Sequence, residues 1–301
     1  MNYLEELEKI RKKVIKKTVI VFLCVILFFA IILIFTKSIK GLKNIAFYFW
    51  IFIIIFGIIK LITQKNVKEY KKIYKNSITL ETFKSVFTDV KYIPNSGLPE
   101  SVIINTKMMD TGDRYHSNDY ISAKYKEINF ECADVMIEER YTDIDGDTQY
   151  STIFKGQWFI FDFNKSFKAN IQICEKSFSG AKRGGLFSKE VYKKIKMEDI
   201  DFNKVFKIYA ENELDAFYVL TPNTMQKIKE LNNKLQGNLL FCFINNKIHI
   251  GLHNRKDLFE PNIYKKIDLE KDKEKILKDI KIITEFVDIL DLDNDLFKRR
   301  G

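Results

Sequence analysis

Two apolar runs dominate the first 62 residues. Thr18–Phe35 (TVIVFLCVILFFAIILIF) carries no charge, and Ile45–Ile62 (IAFYFWIFIIIFGIIKLI) carries only Lys60. Eighteen helical residues span about 27 Å, close to the ~30 Å hydrocarbon core of a bilayer. Both runs are apolar on every face, whereas a core helix of a globular domain needs only one apolar stripe. The pattern predicts two transmembrane helices, 18–35 and 45–62. The nine-residue link Thr36–Asn44 (TKSIKGLKN) makes them a hairpin. Phe47, Tyr48 and Trp50 suit an interfacial aromatic belt, and Lys16, Lys17 and Lys60 sit where a lysine can extend its ammonium to the headgroups.

Beyond the second run the periodicity changes. Val67, Tyr70, Ile73, Tyr74, Ile78 and Leu80 follow helical spacing, so residues 63–93 read as an amphipathic connector. Pro94, Gly97 and Pro99 break the chain, and a compact domain over 94–301 is expected to begin there. Lys124–Tyr141 and Gln149–Phe163 read as long strands joined at Asp143-Ile144-Asp145-Gly146-Asp147. Trp158–Phe161 is apolar on both faces, as in a central strand. Phe167, Ala169, Ile171 and Ile173 alternate with polar residues, as in a half-buried one. Thr221-Pro222 starts a helix whose stripe is Met225, Ile228 and Leu235, and Gly237 closes it. Asn245-Asn246 joins Leu239–Ile244 to Lys247–Leu252 as a tight hairpin. Ile276, Ile280, Ile283, Val287 and Leu290 give helix Leu269–Leu290 a face for packing on the sheet, or for a coiled-coil seam. The fold expected is α+β, a membrane hairpin followed by a largely antiparallel sheet with packed helices.

Charge sharpens this division. The chain has 301 residues and net charge +10, yet residues 1–76 hold 15 Lys+Arg against 4 Asp+Glu, leaving 35 basic and 36 acidic residues for the rest. A basic excess confined to the flanks of apolar runs argues against nucleic-acid binding, which needs cations along a folded face. Six cations precede the first run and six lie in or after the second, against Lys37, Lys40 and Lys43 in the link. The excess places both termini in the cytoplasm and the chain in the inner membrane. Cys24, Cys132, Cys174 and Cys242 are widely spaced, as expected of free thiols in a reducing compartment.

Motifs for chemistry are scarce. The acidic run has its Gly146 fourth from Asp143, with Phe154 at the twelfth position, so it reads as a turn and not a calcium loop. Gly180-x-x-x-x-Gly185 is followed by Leu186-Phe187, which lacks the Lys and hydroxyl of a phosphate loop. His249 and His253 lie on a strand about 13 Å apart, too far for one metal ion, and His249 shares its polar side with Lys247. His116 stands in a polar loop. The segment Asp162–Lys168 (DFNKSFK) returns as Asp201–Lys207 (DFNKVFK), read as two similar corners or as a duplicated subunit. Asp119, Asp162, Asn164 and Asn203 fall at strand ends and are the candidate ligand-binding residues; no catalytic, cofactor or metal residue is assigned.

Several blocks carry a resemblance: Asp119–Ser122 (DYIS), Phe154–Gly156 (FKG), Phe161–Lys165 (FDFNK), Phe202–Phe206 (FNKVF), Ala216–Pro222 (AFYVLTP) and Phe259–Pro261 (FEP). Their order over residues 80–290 resembles the bacterial domain-of-unknown-function family 3137. Members are similar in placing two membrane spans before this domain. Ala123 stands where the family resemblance implies a Gly, which bears on a turn there. The resemblance implies no activity. The function expected is a membrane-anchored cytoplasmic binding or scaffold module without a cofactor. Its partners would be the bilayer and either a protein or anionic headgroups. The alternative is a membrane-anchored enzyme with a dispersed polar site.

Overall fold

The computed structural model describes residues 3–36, 45–109, 112–162, 170–179 and 192–292; of residues 28–29, 31–36, 45–52 and 56 it describes the backbone alone. The chain forms two compact units, residues 1–79 with 260–273, and residues 80–259 with 274–301.

The first unit contains α1 (Tyr3–Thr36) and α2 (Ile45–Tyr74), continued by a π-helical turn (Lys75–Thr79). Leu7, Ile10 and Val14 repeat at 3–4 spacing on α1, and Tyr70, Tyr74 and Ile78 at 4–4 spacing beyond the second run; all six are buried. Level with the start of the first apolar run, Lys17 Nζ donates to Ile62 O (3.4 Å) and Asn66 Oδ1 (3.2 Å). Glu260 accepts from Lys71 and, at 2.6 Å, from Lys75. Burial raises the Glu260 carboxyl, but the two ammonium groups outweigh it and hold the group below the usual range. Among the described residues no helix is long and apolar enough to cross a membrane. Link residues 37–44 and the Trp50 side chain lie outside them.

The second unit is built on one nine-stranded sheet, every neighbouring pair antiparallel, in the order β1-β2-β3-β4-β9-β8-β5-β7-β6. The strands are β1 (Thr88–Ile93), β2 (Arg114–Tyr125), β3 (Ile128–Thr142), β4 (Thr148–Asp162), β5 (Ile171–Glu175), β6 (Lys193–Ile195), β7 (Phe206–Ala210), β8 (Asn238–Ile244) and β9 (Lys247–His253). Helices α3 (Leu80–Val86), α4 (Glu100–Thr106), α5 (Ile200–Val205), α6 (Glu213–Val219), α7 (Pro222–Lys234) and α8 (Leu269–Leu290) complete the described elements.

Central strand β4 shows why the sheet is covered on both sides. Phe159 and Phe161 point to one face, where Phe286 of α8 packs at 5.0 and 6.0 Å between ring centroids. Trp158 and Ile160 point to the other, into a core with Ala133, Val135, Leu240 and Cys242 that Ile103, Met108 and Met109 close. The five residues expected to line α8 are buried, with Phe286 added, and Lys227–Asp291 (3.1 Å) and Lys234–Glu285 (3.2 Å) set α7 beside it. Thr221 caps α7 by accepting from Thr224 N–H; Leu231, not Leu235, completes the buried stripe.

Local chemistry explains where the elements depart from expectation. Lys124–Tyr141 is not one strand: Lys126 and Glu127 take positive φ (46° and 63°) and turn β2 into β3. Two consecutive left-handed residues make the hairpin geometry usually signalled by Asn-Gly, which Lys-Glu conceals. Ala123 accordingly lies within β2 opposite Phe130, not in a turn. The β3–β4 connection does fall at Asp143–Asp147, where Gly146 takes φ 87° and Asp143 Oδ1 accepts from Asp147 N–H at 2.8 Å. Asn245 and Asn246 adopt φ 51° and 57°, as the tight β8–β9 hairpin requires. Strand β5 is buried at all five positions, not half-buried, because β8 and β7 flank it inside the sheet. His116 sits in β2 opposite Met136, not in a loop. The second DFNK copy forms α5 and the start of β7. Residues 163–169 of the first copy, and 180–191 with the glycine loop, lie outside the described residues.

Candidate functional site

The second unit buries a polar network between β2, β3, β4 and the segment after β9. A bulge interrupts β2 between Asn118 and Ile121, and Asp119 occupies it with φ 57°. Asp tolerates that left-handed conformation better than most residues, and a bulge re-aims its side chain. The Asp119 carboxyl is 1% exposed and accepts from the Tyr92 hydroxyl and from Asn118 Nδ2 (2.6 Å). Its own N–H donates to Pro94 O at 3.1 Å.

Asp134 lies opposite Asn118 on β3 and is equally deep. Oδ1 accepts from Gln157 Nε2 (2.9 Å) and Oδ2 from Leu258 N–H (3.0 Å). Gln157 in turn donates to Lys256 O and accepts from Asn254 Nδ2, both at 2.8 Å. Burial pushes the Asp134 carboxyl up to about 8, with Asp119 and Asp257 adding to it and the two donors opposing. Burial likewise raises the Cys132 thiol well above its ordinary value, which removes it as a nucleophile.

A separate groove of about 170 Å³ opens on the sheet, lined by Asp89, Ser122, Asn129, Glu131, Asp162 and Lys247 over Ala123, Phe130 and Ile160. Its charges are mutually engaged. Asn129 Nδ2 donates to Asp162 at 2.8 Å, Tyr120 OH to Glu131 at 2.7 Å, and Lys247 lies 3.7 Å from Glu131. Known ligand pockets run from roughly 300 Å³ upward, so the groove suits at most a small polar group.

The four candidate residues are not gathered in one place. Asp162 lines the groove, Asp119 belongs to the buried network, and Asn164 lies outside the described residues. Asn203 staples the turn before α5, accepting from Met197 N–H (3.1 Å) and donating to Met197 O (2.6 Å) and Asp199 O (2.8 Å). Of the interface lysines, Lys16 and Lys60 are exposed, while Lys17 faces α2. Among the described residues no group of three His, Cys, Asp or Glu side chains could hold a metal ion.

Sequence reasoning missed Asp134 and Gln157, and it misplaced His249. His249 is buried, not solvated: its Nδ1 accepts from Trp158 Nε1 at 3.3 Å, and burial, aided by Lys247, lowers its pKa to about 4. Alternation put it on the side of Lys247, but β9 lies between β4 and β8 with both faces covered. A signal for Asp134 was present. It is the one acidic residue in the apolar run Cys132–Ile137, and such a residue must be hydrogen-bonded or neutral.

No curated protein matches this chain. Among solved structures it is similar to the mycobacterial trehalose monomycolate transport factor A. The identity is 8%, the TM-score 0.40, and the match covers 73% of this chain and 96% of that one. Residues 152–292, from mid-β4 through α8, match the model of a family described as a protein of unknown function, DUF3137.

Proposed function

We propose that the chain is a two-span protein of the inner membrane, with both termini and the sheet domain in the cytoplasm, acting as a non-catalytic binding or scaffold module. The observation that carries this reading is the bare apolar surface of α1 and α2. Eleven large apolar side chains between Val19 and Leu27 and between Ile53 and Ile62 are 41–74% exposed. A patch on that scale is far larger than the scattered exposed residues of a water-soluble surface. Lys17 beside Ile62 and Asn66 supports a hairpin whose two flanks emerge on one side. Three buried free thiols in the domain agree with a reducing compartment.

The engaged charges of the groove support a binding role over an anchored enzyme. Only the groove beside Asp162 speaks for the enzyme, and it is small. The test is a reporter fused after Gly301 together with alkaline carbonate extraction of membranes. A cytoplasmic signal from a carbonate-resistant chain is expected. An external signal, or release by carbonate, overturns the reading.

A further inference from the structure

We propose that the two helix stubs form an anionic-lipid-binding cuff made by Lys12, Lys13 and Lys16 of α1 with Lys65 and Lys68 of α2; this rests on the anchored reading above. All five side chains are exposed. On α1, Lys9, Lys12, Lys13 and Lys16 follow i, i+3, i+4, i+7 spacing, which places them on one face. On α2, Lys65, Lys68 and Lys72 repeat the pattern at i, i+3, i+7. The contact of Lys17 with Ile62 and Asn66 sets the two helices level, so both stripes begin at the same height below the apolar surface. That contact also occupies Lys17 between the helices and leaves the lipid-facing role to the other lysines.

Distance sorts the stripe. At 1.5 Å per residue, Lys16, Lys13 and Lys12 lie about 3, 8 and 9 Å before Thr18, and Lys65 and Lys68 about 5 and 9 Å beyond Ile62. These fall within a Debye length of roughly 8–10 Å, whereas Lys9 and Lys72, about 14–15 Å away, fall outside it. The acidic residues are few and mostly engaged or distant. Glu8 is paired with Arg11 at 2.7 Å and touches Lys12 only at 4.0 Å. Glu5 is a further turn from the membrane, and Glu69 lies among the α2 lysines at the edge of the screened zone.

The experiment is electron spin resonance on the full chain in phosphatidylcholine vesicles doped with spin-labelled phosphatidylglycerol or phosphatidylcholine, after carbonate washing. The wild type is expected to favour the anionic probe roughly fivefold at about 0.1 M salt, where the Debye length is about 10 Å. Replacing the five lysines by Gln should bring the ratio near one, while Lys9→Gln with Lys72→Gln leaves it unchanged. A wild-type ratio near one, or equal losses in the two variants, overturns the cuff while leaving the anchor standing. A chain that does not stay with the washed vesicles overturns the anchor and the cuff together.

Discussion

Apolar residues are used in opposite ways in the two units. On α1, Leu27 is 62% exposed, while on β8 Leu240 is fully buried. In the sheet unit the central strands are covered on both faces, and every strand neighbour is paired. Among the described residues of α1 and α2, the buried apolar side chains lie at the level of Leu7 to Val14 and from Tyr70 onward, while those from Val19 to Leu27 and from Ile53 to Ile62 are largely exposed. Burial in the first case and exposure in the second are each favourable only in the matching solvent. On the proposed anchored reading, stability of the sheet unit and attachment of the helical unit rest on different residues, so mutations should separate them.

The largest effects should come from the centre of the sheet. A Cβ added to Gly156 would sit 2.0 Å from Leu252 O, so Gly156→Ala must push β4 from β9. Phe286→Ala removes the ring that packs on Phe159 and Phe161, at a cost of about 3–5 kcal/mol. Urea denaturation of the full chain in mild detergent, followed by near-ultraviolet circular dichroism, should show both losses. Carbonate resistance should stay unchanged in both variants. A change of less than 1 kcal/mol for Phe286→Ala would mean that α8 does not close that face.

A second effect is a pH dependence confined to the sheet unit. Asp134 is raised to about 8 in the fold, against about 3.9 unfolded. Between those values the folded state binds the extra proton, so stability falls as pH rises. His249 is lowered to about 4, against about 6.5 unfolded, so between those values its contribution grows with pH. Burial shifts His253, which accepts from Lys155 N–H, in the same direction as His249. The opposing slopes offset one another from pH 4 to 6.5, and from 6.5 to 8 Asp134 supplies most of the decline, with the raised buried thiols adding a smaller part near pH 8. Stability should therefore drop by about 2 kcal/mol over that upper interval. Asp134→Asn should flatten the decline; an unchanged decline in that variant rules Asp134 out as its source.

Much of this architecture was legible in the sequence, and the failures share a cause. Helix α8, the Thr221 cap, the Asn245-Asn246 hairpin and the two-faced strand at Trp158 follow from periodicity and turn chemistry, which are local. The Lys126-Glu127 turn carries no Asn or Gly, and tertiary pairing alone imposes its positive φ values. The burial of β5 and His249 depends on which strands end up as neighbours, a non-local fact. Asp134 meets Leu258 across 124 residues and Gln157 meets Lys256 across 99, so their partnership has no sequence signature. The candidates Asp162 and Asn203 were conspicuous for their turn-forming types, and the structure sets the one at the end of β4 and the other in α5.

A smaller effect tests how the edge of the sheet is held. Asp199 caps α5 by accepting from Phe202 N–H at 2.8 Å and pairs with Lys229 at 2.6 Å. Those donors hold its carboxyl below the usual range, the Lys229 contact first. Asp199→Ala should cost about 1 kcal/mol, nearly all from the cap, since pairs at that exposure contribute little. Lys229→Ala alone should then be close to neutral by the same denaturation measurement.

The smallest expected change sharpens the comparison most. Leu240→Ala and Leu27→Ala are the same chemical edit. In the sheet it empties a fully buried site and should cost about 2–5 kcal/mol. On α1 it trims a side chain that touches little protein, so the denaturation midpoint of the sheet unit should not move. What should change instead is attachment, by the transfer free energy of the methylene and methyl groups removed from lipid, about 0.8 kcal/mol for each. On the proposed two-span reading, one such loss leaves the chain bound. Four substitutions together, Leu23, Ile26, Leu27 and Leu61 to Ser, should make it extractable by carbonate while the urea midpoint stays in place. If the fourfold variant instead lowers that midpoint as Leu240→Ala does, the bare surface is a misplaced core and the division between the two units fails.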